Sequence, residues 1–286
     1  MHEMPDLAGR YCSRMAHQNL VDWRNPRVVS AVKLHRGSQR RHAGRFLAEG
    51  ANAVAAALDT GRVREVFYAH SAAERDRALI AGAVAAGVRC TLVSDRAARN
   101  LSETVTAPGL VAVCDLVDVP VARILDASPR MLAVPVELSD PGNAGTVIRI
   151  ADSVGADGVI LAGDTVDPHN GKCVRASAGS IFHVPIARHR DIGDTLDTLA
   201  AAGIAVLATA ANGEVDLDDA DELFTGPVAW LFGNEAHGLD PAIARRADHR
   251  IRIPIRGRAE SLNLAAAAAI CLYANSRIRY RSDRPS

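Results

Sequence analysis

Four mostly apolar runs of strand length, MLAVPVEL, DGVILAG, IAVLATA and PVAWLFG, recur between Met131 and Gly233, and a fifth, HRIRIPI, closes the series. Strands apolar on both sides need cover on both faces. Stretches of helical length lie between them, TVIRIADSVG and Ile192–Ala202 among them. That combination leaves little besides a parallel sheet flanked by helices. A long helix from about Ser261 to Arg277, with Ser261 as its N-cap, is expected to finish the chain.

A shorter series precedes this one. NPRVVSAVKLHRGSQRRHAG reads as a basic helix, Arg45–Glu49 as a strand, ANAVAAALDTG as an Ala-rich helix and VREVFYA as a strand. A helix over Ala72–Ala86 and the strands VRCTLVS and LVAVCDL complete a small α/β layer. The expected organisation is therefore α/β throughout: a tail over residues 1–22, a small domain over 23–119, a linker over 120–130 with proline near both ends, and the parallel-sheet domain over 131–286.

No apolar run approaches the roughly 18–20 uncharged residues of a membrane span, and no secretory signal is visible, so the expected location is cytoplasmic. The five cysteines are scattered and never form a CxxC pair, and the histidines lack paired ligand spacing, so neither a disulfide framework nor a metal site is expected. The 33 basic and 33 acidic side chains cancel, but unevenly. Arg24–Arg45 holds seven Arg or Lys and no acid, Arg245–Arg284 holds ten Arg against three acids, and Asp191–Glu222 holds nine acids and no base. Patches, rather than totals, decide where a polyanion docks.

In a parallel sheet, ligands bind in loops at the carboxyl ends of strands. Three such loops stand out. SDPGNAG, Ser139–Gly145, turns tightly from strand to helix and offers Asn143, with Arg149 off the apolar stripe of the following helix. LFGNEAHGLD, Leu231–Asp240, carries Glu235 as a lone carboxylate and His237. IPIRGRAESLNLAAAAAI, Ile253–Ile270, opens an Ala-packed helix, and core packing does not explain Asn263 in its first turn. None is a dinucleotide fingerprint or a P-loop, which argues against a nucleotide-binding dehydrogenase.

Together, DPGNAGTVIR, FGNEAHGL and IPIRGRAESLN resemble, in order, the three motifs of the SpoU-type RNA ribose 2′-O-methyltransferases of the SPOUT superfamily. NPR, the basic helix and GRFLAEG resemble the ribosomal-protein-like substrate-binding domain that many members carry. The resemblance covers nearly all of residues 23–280. Asp140 departs from the usual Asn, Ile150 from Thr or Ser, Ile255 from Met and Ala265 from Ser.

The resemblance implies a C-terminal trefoil knot that forms the pocket for S-adenosyl-L-methionine, a homodimer through the C-terminal domain, and no metal. By position it implies Asn143, Arg149, Glu235, Ser261 and Asn263 as the catalytic set. Thr209, Gly233, Ile253 and Leu262 would hold the cofactor, and Arg27, Lys33, Arg36, Arg40, Arg41 and Arg45 would meet RNA. The implied reaction is methyl transfer to a ribose 2′-hydroxyl of structured RNA, with 23S ribosomal RNA favoured over tRNA by the extra domain. A catalytically silent RNA-binding relative is the competing expectation. A guanidinium stays protonated to about pH 12 or above, so Arg149 is read as stabilising the developing alkoxide and holding a phosphate.

Overall fold

The computed structural model describes residues 20–234 and 237–282. The chain divides into two compact units after Leu116. Residues 1–19 of the expected tail lie outside the described residues. Val21, within that expected tail, pairs with Val93, and its N–H donates to the Leu92 carbonyl (3.0 Å).

The first unit is built on a mixed sheet. Its strands β1 (Arg45–Glu49), β2 (Val63–Tyr68), β3 (Arg89–Leu92) and β4 (Leu110–Asp115) lie in the order β1-β4-β2-β3, with β4 antiparallel to both neighbours. The expected basic helix is two helices, α1 (Pro26–Val32) and α2 (Gly37–Ala43), joined by a 3-10 turn over Lys33–His35. Asn25 caps α1, accepting from Arg27 N, and Pro26 fits the first turn because its nitrogen needs no partner there. Arg36 is extended between the turn and α2, which leaves carbonyls with no helical partner. Arg40 is 4% exposed and donates to two of these, Leu34 O (3.0 Å) and His35 O (2.9 Å).

After α3 (Ala51–Asp59), the helix expected over Ala72–Ala86 also divides, into α4 (His70–Arg75) and α5 (Arg77–Ala85), because Asp76 leaves helical geometry. A further helix, α6 (Asp95–Leu101), is capped by Ser94. Trp23 packs against this unit's core, with the guanidinium groups of Arg24 and Arg96 at 4.9 and 4.4 Å from its ring.

The second unit begins at Val117. The segment expected as linker carries α7 (Val121–Leu125), whose Ile124 belongs to this unit's core. Seven strands follow: β5 (Met131–Pro135), β6 (Gly158–Ala162), β7 (Ile186–His189), β8 (Ala205–Thr209), β9 (Val215–Asp216), β10 (Val228–Phe232) and β11 (His249–Arg252). They form one fully parallel sheet in the order β7-β6-β5-β10-β8-β11-β9. The strand series runs outward from β5 in one direction and then reverses, so the switch point lies between β5 and β10.

One face packs against α10 (Ile192–Ala201) through Leu196 and Leu199, and the short α11 (Pro241–Ala244) lies between β10 and β11 in the chain. The other lies under α8 (Pro141–Ser153) and the closing helix α12 (Leu264–Ser282), which also touch each other. Beside α8 runs the short α9 (Gly171–Ser177). A Cβ at Gly145 would stand 2.2 Å from the Cys173 carbonyl, so only glycine lets these two helices approach so closely. Trp230 is fully buried and donates through Nε1 to Asn275 Oδ1 of α12 (3.1 Å), so the closing helix is tied to the sheet's centre.

Two terminal signals differ from expectation. Helix α8 starts at Pro141 rather than near Gly145, because Asp140 caps it, accepting from Asn143 N (2.8 Å). Helix α12 starts at Leu264, and its cap is Asn263, whose Oδ1 accepts from Ala265 N (2.9 Å). Ser261 is therefore free of the capping duty. The acid-rich segment and the C-terminal arginines cancel in pairs: Glu214–Arg250, Asp216–Arg252, Asp218–Arg256 and Asp221–Arg277.

Candidate active site

The loops after β5 and β10 leave the switch point side by side, where crevices form in open parallel sheets. Asn234 joins them, donating through Nδ2 to the Glu137 carbonyl (2.7 Å). Glu137 has φ 51, and this left-handed turn at the end of β5 carries the backbone away from the strand. The loop after β10 folds on itself, with Asn234 and Gly238 exchanging backbone hydrogen bonds of 2.9 Å. A Cβ at Gly233 would stand 2.2 Å from Gly238 C and Leu239 N, so glycine is required for the turn to close. Glu235 lies outside the described residues.

A cleft of about 460 Å³ opens beside this turn. Thr209, Gly233, Ile253 and Leu262, the positions expected to hold the cofactor, all line it, and so do Ser261 and Asn263. Its volume falls in the range of small-molecule sites, and Phe232, Ile251 and Ile253 give it an apolar wall with a few polar groups. Thr209 Oγ1 donates to the Leu231 carbonyl (3.0 Å), which leaves the hydroxyl oxygen's lone pairs available. An apolar slot for a heterocycle, flanked by hydroxyl, amide and glycine backbone, fits S-adenosylmethionine.

Asn263 Nδ2 faces Asn143 Oδ1 at 3.4 Å, bringing the first and third loops together. Asn143 sits in the first turn of α8, where Lys172 crosses to Asp140 (2.5 Å). The Lys172 ammonium, then the Asn143 N–H, hold the Asp140 carboxyl below the usual carboxylate range.

Arg149 does not line this cleft. It is exposed, and its guanidinium has no ion-pair partner among the described residues. It lies in an adjoining groove of about 570 Å³ between α8 and α12, with Thr146, Ile150, Ile270 and Tyr273. Ile150 is half-buried in the groove, while Ala144, Val147, Ile148 and Ala151 are buried.

A profile described as the SpoU rRNA Methylase family matches residues 130–273, and one described as an MRM3-like substrate binding domain matches residues 25–112. The chain belongs to the SpoU rRNA methylase family. Bacillus subtilis 23S rRNA (guanosine(2553)-2′-O)-methyltransferase RlmP is 35% identical over 87% of this chain and 96% of that protein. The AdoMet-bound rRNA methyltransferase of Sinorhizobium meliloti has a TM-score of 0.78 at 34% identity, covering 90% of this chain and 98% of its own. The SpoU methyltransferase AviRb of Streptomyces viridochromogenes, also solved with AdoMet, has a TM-score of 0.79 at 30% identity, covering 90% of this chain and all of its own. This SpoU protein is therefore an S-adenosylmethionine-dependent RNA methyltransferase with the SPOUT α/β fold.

The first unit places the expected RNA-binding residues unequally. Lys33, Arg36 and Arg41 are exposed and have no ion-pair partner among the described residues. Arg27 pairs with Glu65 and donates to Thr91 Oγ1 (3.0 Å), and Arg45 stands 4.0 Å from Asp115. Arg40 is corrected outright: it is buried under backbone carbonyls and is not presented to RNA. Residues the sequence reading missed include Asn234, which clasps two loops, and Glu260, which lines the cleft. The spacing of FGNE marked Glu235 and gave no sign of its neighbour's role.

Among the described residues no group of acidic, His or Cys side chains is arranged to hold a metal, and no helix is long and apolar enough to cross a membrane. Burial pushes the Cys114, Cys173 and Cys271 thiols up, which suits packing rather than reactivity.

Proposed function

We propose that this protein methylates a ribose 2′-hydroxyl of 23S ribosomal RNA, in the cytoplasm, as a homodimer. The observation that carries the reading is the cleft that gathers Thr209, Gly233, Ile253, Leu262, Ser261 and Asn263 at the switch point of a parallel sheet. When bound, S-adenosylmethionine supplies an electrophilic methyl group on a sulfonium.

The chain's own residues do the rest. Asn263, fixed by its capping bonds, and Asn143 present amide groups at the cleft's edge, and the Ser261 hydroxyl stands on its rim. These orient the ribose so that its oxygen faces the methyl in line, and positioning is the main requirement of such a transfer. Arg149, permanently cationic, neutralises the alkoxide as the hydroxyl proton leaves, and it holds the adjacent phosphate.

The Arg149 groove supports the dimer. Ile270 and Tyr273 line it at 40% and 65% exposure, and a second copy laid on α8 and α12 would cover them. That copy would bring an Arg149 to the cleft that its own chain leaves without one. Lys33, Arg36 and Arg41 supply salt-dependent attraction for RNA. The trefoil knot belongs to this reading, supported by the position of β11 between β8 and β9, the two ends of the segment it would pass.

The test is incubation of the full chain with S-adenosylmethionine and 23S RNA from a strain lacking the enzyme. A new site resistant to alkaline cleavage, made by a species of twice the chain mass, is expected. Transfer to tRNA alone, or full activity as a monomer, would overturn the corresponding part.

A further inference from the structure

Among the described residues lining the cofactor cleft, Glu260 is the one charged side chain. It is exposed on the loop between β11 and α12 and forms no side-chain hydrogen bond or ion pair among the described residues. The other loop acid–base contact nearby, Arg256–Asp218, leaves it alone. Ile253, Ile255, Leu262 and Leu264 lie in the same lining, with the neutral Ser261 and Asn263 as its nearest polar neighbours along the chain.

A carboxylate at the mouth of a cleft that must admit RNA repels the polyanion. Among the described residues of its own chain's lining, no cationic side chain stands beside it. A cationic ligand is the partner that makes sense of it, and beside an apolar wall such an attraction exceeds its value in open water. The cofactor carries that cation on its sulfur. The product, S-adenosylhomocysteine, has the same adenosine and amino-acid parts but a neutral thioether.

We propose that Glu260 makes the cleft selective for charge, favouring the sulfonium of S-adenosylmethionine over the thioether of S-adenosylhomocysteine. Methyl transfer then loosens its own by-product, because the charge that Glu260 attracts leaves the sulfur with the methyl group. The methyl–oxygen bond forms, the methyl–sulfur bond breaks with its electron pair on sulfur, and the hydroxyl proton is released. The inference rests on the cleft being the cofactor site.

A plainer role exists. Glu260 precedes the N-terminus of α12, where a negative charge is favoured by the helix dipole. Such a role would alter folding stability and both ligands alike. A contact with the α-ammonium group, common to cofactor and product, would also affect both alike.

The test is calorimetric titration of the full chain and its Glu260→Gln and Glu260→Asp variants with three ligands: the cofactor, S-adenosylhomocysteine and sinefungin, whose amine replaces the sulfonium. Glu260→Gln is expected to weaken the cofactor and sinefungin by about fivefold. S-adenosylhomocysteine should change by less than about twofold, and Glu260→Asp should keep the wild-type preference. Equal loss for all three ligands, or no loss for any, overturns the proposal while leaving the cofactor cleft intact. Failure of wild type to bind any of them would instead overturn the cleft assignment, and the proposal with it.

Discussion

The two units treat their charged residues in opposite ways. In the second, Arg149 and Glu260 stand without an ion-pair partner among the described residues, while Arg250, Arg252, Arg256 and Arg277 are matched by Glu214, Asp216, Asp218 and Asp221. In the first, the basic run is woven into the fold: Arg40 closes a helix break and Arg27 ties α1 to Glu65 and Thr91. Arg40, beside a break in a helix, is recruited by local backbone need, whereas Glu260, on a loop after a strand, has no such duty.

Arg149→Ala probes the second unit's side of this contrast with the largest expected effect. Turnover should fall by about 10²–10³-fold, as for loss of an oxyanion-stabilising donor. Calorimetric affinity for the cofactor should change less than twofold, since Arg149 is assigned to the alkoxide and phosphate of the RNA rather than to the cofactor. A proportionate loss of both would merge the groove with the cleft.

On the other side, Arg40→Ala should unfold the first unit more easily. One buried and one part-buried carbonyl lose their donor, at a cost of about 1–3 kcal/mol in chemical denaturation, while the salt dependence of RNA binding stays as it was. The triple change Lys33→Ala, Arg36→Ala and Arg41→Ala should do the reverse. Stability should hold, and the slope of log affinity against log salt should flatten by about 2. If Arg40→Ala flattened the slope instead, the division between structural and available cations would collapse.

Asn263→Ala sharpens the comparison from within the second unit. Loss of the cap should cost about 1 kcal/mol of stability, and loss of the amide facing Asn143 should lower turnover beyond that. Asn263→Asp, which keeps the cap, should recover stability without recovering turnover.

The smallest effect is expected at Asp140. Its carboxyl is held below the usual range by Lys172 and the Asn143 N–H, so its stabilising contribution is present above about pH 3.9. That contribution is lost as pH falls through the lower folded value. Asp140→Asn should therefore be slightly less stable at pH 7, the pair being exposed, and should match the wild type once both carboxyl states are protonated. Thermal scans across pH measure this.

Five of the second unit's seven strands were legible because their apolar runs announce themselves, whereas β7 and the two-residue β9 are too short to do so. Short polar helices were not legible either. GKCVRAS, which forms α9, carries no apolar stripe and is helical because Asn170 caps it and α8 covers Cys173 and Val174. Ser261 and Asn263 both look like caps in sequence, and only the backbone decides between them. The unequal charge distribution was visible, but not that residues 36 to 56 positions apart along the chain would pair across it, because strand order is a property of the whole sheet. The cleft residues assembled at the expected positions, whereas Arg149's separation from them follows from its place on α8 and had no trace in the motif spacing.

The chain has two tryptophans, and they divide between the units. Trp230 is sealed in the second sheet with only Asn275 to bond, while Trp23 sits partly exposed between two guanidinium groups in the first. Each half thus carries its own intrinsic fluorophore, with Trp230 emitting at shorter wavelength from its dry surroundings. Excited at one wavelength and read at two, the protein reports whether its halves melt together or apart, and Trp23→Phe isolates the catalytic half without any label.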